Sequence, residues 1–199
     1  AKVRRAQDAV LATRPFSETL QSVFGGLISR LGGDAAELPL LTQREVNKAT
    51  LISITGGRGL CGGYTSFMIK KTEARYRELV KAGIEVDMIV IGKKSIKYFS
   101  RRPQYKIRKT FETGQNPSAK QALKISEEVL NTFLSGESDA IEILYTKFVS
   151  LISSSPSIRT LVPFSASEVT AKGDEVFQLT SSSGDFSVER TELDVAAPQ

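Results

Sequence analysis

Residues 50–64 read TLISITGGRGLCGGY, and this stretch sets the fold class. Thr50–Thr55 is an uncharged, β-branched run closed by glycines, the pattern of a buried strand. Gly57-Arg58-Gly59-Leu60-Cys61-Gly62 matches G-x-G-x-x-G, and Tyr64–Ala82 follows as a helix that Gly83 stops. Strand, glycine loop and helix in that order form the context of a dinucleotide loop, with the pyrophosphate on the helix N-terminus. That chemistry also needs an acid at the end of the second strand, for the ribose hydroxyl. The second strand, Val86–Ile91 (VDMIVI), runs instead into Gly92-Lys93-Lys94. Lysines there leave NADP, with its 2′-phosphate, as the dinucleotide to weigh. The competing reading is a tight turn that presents a protein-contact loop.

The alternation continues outward. Lys93–Arg101 reads as a short helix closed before Pro103. Asn116-Pro117 reads as an N-cap and first helical position, opening a helix that buries Ala122, Leu123, Val129, Leu130 and Phe133 and ends at Gly136. Ile141–Phe148 (IEILYTKF) is a third strand, Ser153–Ser157 a turn, and Ile158–Phe164 a short extended segment. Buried strands alternating with helices predict a mostly parallel sheet in a layered α/β domain. On the N-terminal side, apolar residues from Val3 to Leu31 recur at helical spacing, with Pro15 expected to kink or divide the helix. The chain opens on helix-interior residues, which reads as a long helix cut at its N-terminal side. Glu175–Thr180 and Phe186–Leu193 alternate apolar and polar positions around Ser181–Asp185 and predict a β-hairpin. Residues 196–199 (AAPQ) read as a linker.

Composition removes whole classes of chemistry. The chain has 199 residues, no His, one Cys and no Trp. Imidazole-based triads and imidazole metal ligands are therefore absent. Cys61 alone builds neither a zinc site nor an internal disulfide, which favours a reducing compartment over a secreted one. At the expected helix start beside Arg58, Cys61 is read as a small residue in a tight turn ahead of a reactive thiol. There is no G-x-x-x-x-G-K-[ST] phosphate loop and no apolar run of membrane-spanning length. The net charge of +5 is unevenly spread. Lys93–Lys109 holds eight basic residues and no acid, whereas residues 165–199 hold two basic and seven acidic residues, a net −5. The basic segment predicts a solvated face or a patch for an acidic protein ahead of RNA, which also asks for stacking aromatics. Tyr98 and Phe99 read as the buried side of a short helix, and Glu127, Glu128 and Asp185 as solvated charge.

Together these segments resemble the gamma subunit of F-type rotary ATP synthases, in its photosynthetic form. Residues 1–10 (AKVRRAQDAV) and 14–20 (RPFSETL) are similar to the end of that family's N-terminal coiled-coil helix. Residues 54–64 (ITGGRGLCGGY) resemble its signature glycine loop, which usually carries an acid where Gly57 stands. Residues 141–163 (IEILYTKFVSLISSSPSIRTLVP) resemble its last central strands. Residues 173–193 (GDEVFQLTSSSGDFSVERTEL) resemble the photosynthetic insertion, without the two cysteines that plant versions carry there.

The resemblance implies a partial chain with four parts. Residues 1–31 are the end of a coiled-coil helix, and 32–48 a connection. Residues 49–164 are a Rossmann-like three-layer α/β domain with a mostly parallel sheet. Residues 165–199 are a β-hairpin insertion with a linker. It implies a non-catalytic rotor in the central stalk, coupling rotation of the c-ring to the catalytic sites on beta subunits. The implied partners are the alpha, beta and epsilon subunits and the c-ring, with no nucleic acid and no cofactor. The implied location is a peripheral complex on the cytoplasmic or stromal face of the thylakoid membrane. Arg58, Gly59, Leu60, Cys61, Gly62 and Gly63 become a subunit-contact loop, with Arg58 suited to an acidic loop of beta. Val176, Phe177, Leu179, Phe186 and Val188 become the apolar positions of a regulatory hairpin that restrains ATP hydrolysis. The alternative from the residues alone remains a small NADP-binding or RNA-binding α/β module.

Overall fold

The computed structural model describes residues 2–31, 38–57, 63–114, 117–150, 153–164, 175–182 and 185–192. The chain forms two compact units, one of residues 39–163 and one of residues 1–38 with 164–199.

In the first unit, β1 (Lys48–Ile54), β2 (Glu85–Ile91), β3 (Ile107–Phe111), β4 (Ala140–Ser150) and β5 (Ser153–Val162) make a five-stranded sheet in the order β3-β2-β1-β4-β5. All neighbours are parallel except β4 and β5, which are antiparallel. The helices α2 (Tyr64–Lys81), α3 (Lys93–Phe99) and α4 (Ala119–Leu134) connect the strands. This is the α/β architecture expected from the alternation.

The central strands form because both faces are covered, so they read as continuous apolar runs. One face packs Leu51, Met88 and Val90 with Met68, Leu79 and Phe99. The other packs Ile52, Ile89 and Ile141 with Val129 and Phe133. Helix α2 supplies its share through Thr65, Met68, Ile69, Thr72, Tyr76 and Leu79, one face at helical spacing. Its buried Thr72 hydroxyl lies 2.9 Å from Ser53 Oγ and donates to the Met68 carbonyl, so this polar pair enters the core satisfied. Between α2 and β4, Arg75 holds Glu142 through two bonds of 2.8 and 2.5 Å. That carboxylate raises the guanidinium pKa above its ordinary range.

Several local expectations are corrected. Strand β3 lies inside the basic segment, where no strand was expected. It is a short edge strand, and its Arg108 is drawn inward by Asp87 of β2. Ser153–Ser157 is part of β5 and not a turn, because β4 pairs with it along its length. Pro156 is tolerated there because β5 is an edge strand. Helix α4 is capped by Ser118, whose hydroxyl accepts from the Gln121 N–H while Gln121 reaches back to the Ser118 N–H. Asn116 lies outside the described residues. Val129 and Phe133 are buried as expected, whereas Ala122, Leu123 and Leu130 are exposed. Glu128 is not solvated charge, since it pairs with Lys109 of β3.

In the second unit, α1 (Lys2–Leu31) runs without a break through Pro15. Proline removes one helical N–H, and here the loss falls where Leu11 is exposed and water can reach the freed carbonyl. Phe24 stacks on Phe164 with ring centroids 6.4 Å apart. Strands β6 (Glu175–Ser182) and β7 (Asp185–Glu192) pair antiparallel from Glu175 opposite Glu192 to Ser182 opposite Asp185. The hairpin expected from alternation is therefore present as backbone. The side chains of Val176, Phe177, Leu179, Phe186 and Val188 lie outside the described residues. No helix among the described residues is long and apolar enough to cross a membrane.

Candidate functional site

Parallel strands deliver their loops to one edge, and the glycine loop leaves β1 at that edge. Arg58, Gly59, Leu60, Cys61 and Gly62 lie outside the described residues, but both ends of the loop are described. At its far end Gly63 is the N-cap of α2, with no side-chain cap, and its carbonyl accepts the Phe67 N–H at 2.8 Å. At its near end Thr55 donates its backbone N–H to the Ile91 carbonyl at 2.9 Å and its hydroxyl to the same oxygen at 3.1 Å. The Ser95 hydroxyl in turn donates to Thr55 Oγ1 at 2.8 Å.

This clamp depends on Gly92. It adopts φ +107°, and a Cβ there would collide with the Thr55 carbonyl oxygen and hydroxyl. Its N–H donates to the Phe111 carbonyl at 3.0 Å, tying the end of β3 to the same place. Gly57 meets the third loop, since a Cβ on it would lie 2.8 Å from the Thr113 carbonyl oxygen. The segments after β1, β2 and β3 thus converge into one fixed base where the glycine loop leaves β1.

The base does not resemble an anion cradle. What faces Gly57 is a carbonyl oxygen, an acceptor that disfavours phosphate. Of the two lysines weighed for a ribose 2′-phosphate, Lys93 lies 3.5 Å from Glu112 and Lys94 is exposed. Among the described residues no group of His, Cys, Asp and Glu side chains could hold a metal ion.

Four of the eight cations of the basic segment are paired with acids of the domain. Besides Lys93 with Glu112, Lys106 pairs with Glu85 at 2.6 Å, Arg108 with Asp87 at 2.7 Å and with Glu137, and Lys109 with Glu128. Asp87 also accepts the Thr50 hydroxyl at 2.7 Å. Lys106 holds the Glu85 carboxyl below its usual range, and Arg108 does the same to Glu137. Arg102 sits over the Tyr98 ring at 3.6 Å. A shallow cavity of about 180 Å³ opens between these pairs at the amino ends of β1, β2 and β3, and its acids are matched by cations. Half of the eight cations are thus paired within the domain, while Lys94, Lys97 and Arg101 stay on the solvated face that the sequence predicts. Phe99 is fully buried, as expected for the inner side of α3.

Comparison with known proteins decides the family. A profile of the family described as ATP synthase matches residues 1–197. The chain is 77% identical over 199 residues to the "ATP synthase gamma chain, chloroplastic" of Trieres chinensis.

The chain belongs to the ATP synthase gamma-chain family.

It is also 78% identical over 198 residues to the chloroplastic gamma chain of Phaeodactylum tricornutum, and 46% identical over 192 residues to the ATP synthase gamma chain of Prochlorococcus marinus strain SARG. It spans 54% and 53% of the Trieres and Phaeodactylum chains, about half their length. Among solved structures, a chain of the Tetrahymena thermophila mitochondrial ATP synthase central stalk and c-ring superposes with a TM-score of 0.52 at 19% identity. The match covers 81% of this chain and 72% of that one, and it shows a shared fold. The comparisons support the gamma family and give no support to an NADP-binding or RNA-binding module.

If the glycine loop is a contact loop, titrating NAD or NADP into the full-length protein should give no saturable binding by calorimetry. Micromolar affinity for either would contradict the geometry.

Proposed function

We propose that this chain is part of a rotor subunit in the central stalk of a proton-translocating ATP synthase, and that it contributes no catalytic residue. The observation that carries the reading is α1. Thirty residues of helix extend about 45 Å at 1.5 Å per residue. Along it Val10, Leu11, Phe16, Leu20, Val23 and Leu27 stay exposed, Phe16 at 73%. A helix carrying this much exposed apolar surface calls for a partner helix. The part of the family's length that lies beyond this chain would supply it as the second strand of a coiled coil.

In this reading the stiff helix pair turns inside the hexamer of alpha and beta subunits and forces their catalytic sites through different states. The α/β domain sits at the foot of the stalk, against epsilon and the c-ring. Its clamped loop ends support this, because a docking surface that carries torque must not yield at its base. Arg58, Gly59, Leu60, Cys61, Gly62 and Gly63 would form the contact with a beta-subunit loop, Arg58 meeting its acidic side chains. The complex would be peripheral, on the stromal or cytoplasmic face of the thylakoid membrane, in keeping with the chloroplastic relatives.

The full-length protein should co-purify with alpha, beta and epsilon subunits, and the double variant Leu20→Glu, Leu27→Glu should abolish ATP-driven rotation of the complex. Failure to co-purify, or unaltered rotation in the variant, would sink the reading.

The hairpin β6–β7 is assigned here a restraining role on ATP hydrolysis. Its motivation is an acidic two-stranded element that is marginal alone and must rest on a neighbour. A bias of a few kcal/mol towards an inhibited rotor state is enough. Deleting residues 165–198 with a restored short connection should raise hydrolysis several-fold while assembly survives. Unchanged hydrolysis would make the hairpin structural only.

A further inference from the structure

A second groove, of about 540 Å³, lies on the α2 side of the sheet, lined by Glu73, Tyr76, Arg77, Val80, Lys81, Gln104 and Tyr105. Its floor is apolar, because the polar atoms of its rings are already engaged. The Tyr76 hydroxyl reaches the Val86 and Gln104 carbonyls, each at 3.2 Å. The Tyr105 hydroxyl donates to Glu73 Oε1 at 2.8 Å, and the Tyr98 hydroxyl donates to the same oxygen at 2.8 Å. Val80 adds an aliphatic side chain that is 49% exposed.

The rim has the opposite character. Glu73 is the one acid of the lining, and two tyrosine hydroxyls and Arg77 already surround it. Arg77 makes one long contact of 3.4 Å to it, lies beside the Tyr105 hydroxyl, and stays 71% exposed at the rim. Lys81 forms no ion pair among the described residues. The groove therefore offers apolar floor, cationic rim and no available acceptor charge.

We infer that this groove is a docking surface for a protein segment that sets apolar side chains between carboxylates. Charge complementarity selects the acids: Arg77 and Lys81 flank the floor, and Glu73 is neutralised from within. The floor favours an apolar side chain over a sugar, since the hydroxyls of Tyr76 and Tyr105 are already bonded within the domain. Base stacking is disfavoured as well. Tyr76 meets Tyr105 edge-on at 5.0 Å, and Tyr105 meets Phe99 edge-on at 5.1 Å. Both tyrosines are under a tenth exposed, so neither offers an open ring face to a nucleobase. The inference stands apart from the rotor reading, because it needs no other subunit to be tested.

The test uses the full-length protein and a fluorescein-labelled peptide in which leucine and phenylalanine sit between glutamates, read by fluorescence polarisation. Binding should saturate and weaken as ionic strength rises. Arg77→Glu with Lys81→Glu should weaken it at least about tenfold. Val80→Asp, at an exposed position that leaves the core untouched, should do the same. Lys120→Glu with Lys124→Glu on α4 should leave it unchanged. A lysine version of the peptide that binds equally well would overturn the inference. So would unchanged binding in the Arg77 and Lys81 double variant, or an oligouridine that binds more tightly than the peptide.

Discussion

The close approach of Gly92 to Thr55 is the constraint on which the functional edge of this domain depends. Gly92 has φ +107°, and a Cβ there would strike the Thr55 carbonyl and hydroxyl. That approach lets Thr55 bond the Ile91 carbonyl twice while Ser95 bonds Thr55. The carboxyl ends of β1 and β2 are thereby fixed to each other, and Phe111 fixes the end of β3 to Gly92. In open α/β sheets this edge commonly hosts a ligand. Here backbone carbonyls and intramolecular hydrogen bonds occupy the base of the loop. The same topology thus yields a rigid mount at the ends of the glycine loop, a distinction of site chemistry and not of fold.

Charge follows the same inward logic. A segment of eight cations looks in sequence like a surface for an anionic partner. In the fold, β3 places Arg108 beside Asp87, and α4 brings Glu128 to Lys109. These pairs fasten the edge strand β3 to β2 on one side and to α4 on the other. Exposed pairs such as Lys93 with Glu112 contribute little to stability, typically under about 1 kcal/mol. The partly buried Arg108–Asp87 and Arg75–Glu142 pairs matter more, because removing one partner strands a charge beside the core.

The legibility of the chain follows burial. β1, β2 and β4 are apolar runs because helices or other strands cover them, so sequence alone located them to within a few residues. β3 was hidden because it is a half-exposed edge whose basic side chains find partners only in three dimensions. The first half of β5 was hidden because its serines pair with β4 through backbone bonds that composition does not announce, whereas the half from Ile158 was legible as an extended segment. The cap of α4 was readable, as Ser118 and Gln121 stand at capping-box spacing, but the Asn116-Pro117 signal beside it is louder. The glycine motif was legible as a loop between strand and helix. The role of Gly92 was not, because nothing local reveals that another strand's carbonyl will lie against it. The groove between Tyr76, Val80 and Tyr105 gathers residues from α2 and the turn before β3, so no linear motif carries it.

The fixed base beneath the glycine loop is the central claim, and hydrogen exchange tests it residue by residue. In the full-length protein, the amides of Thr55 and Gly92 should exchange as slowly as those of Leu51 and Ile89 in the core strands, with the opening free energy of the domain as a whole. Exchange at Thr55 and Gly92 as fast as at an open loop position such as Gly114 would show that the base yields locally, and the account of a rigid mount would be wrong.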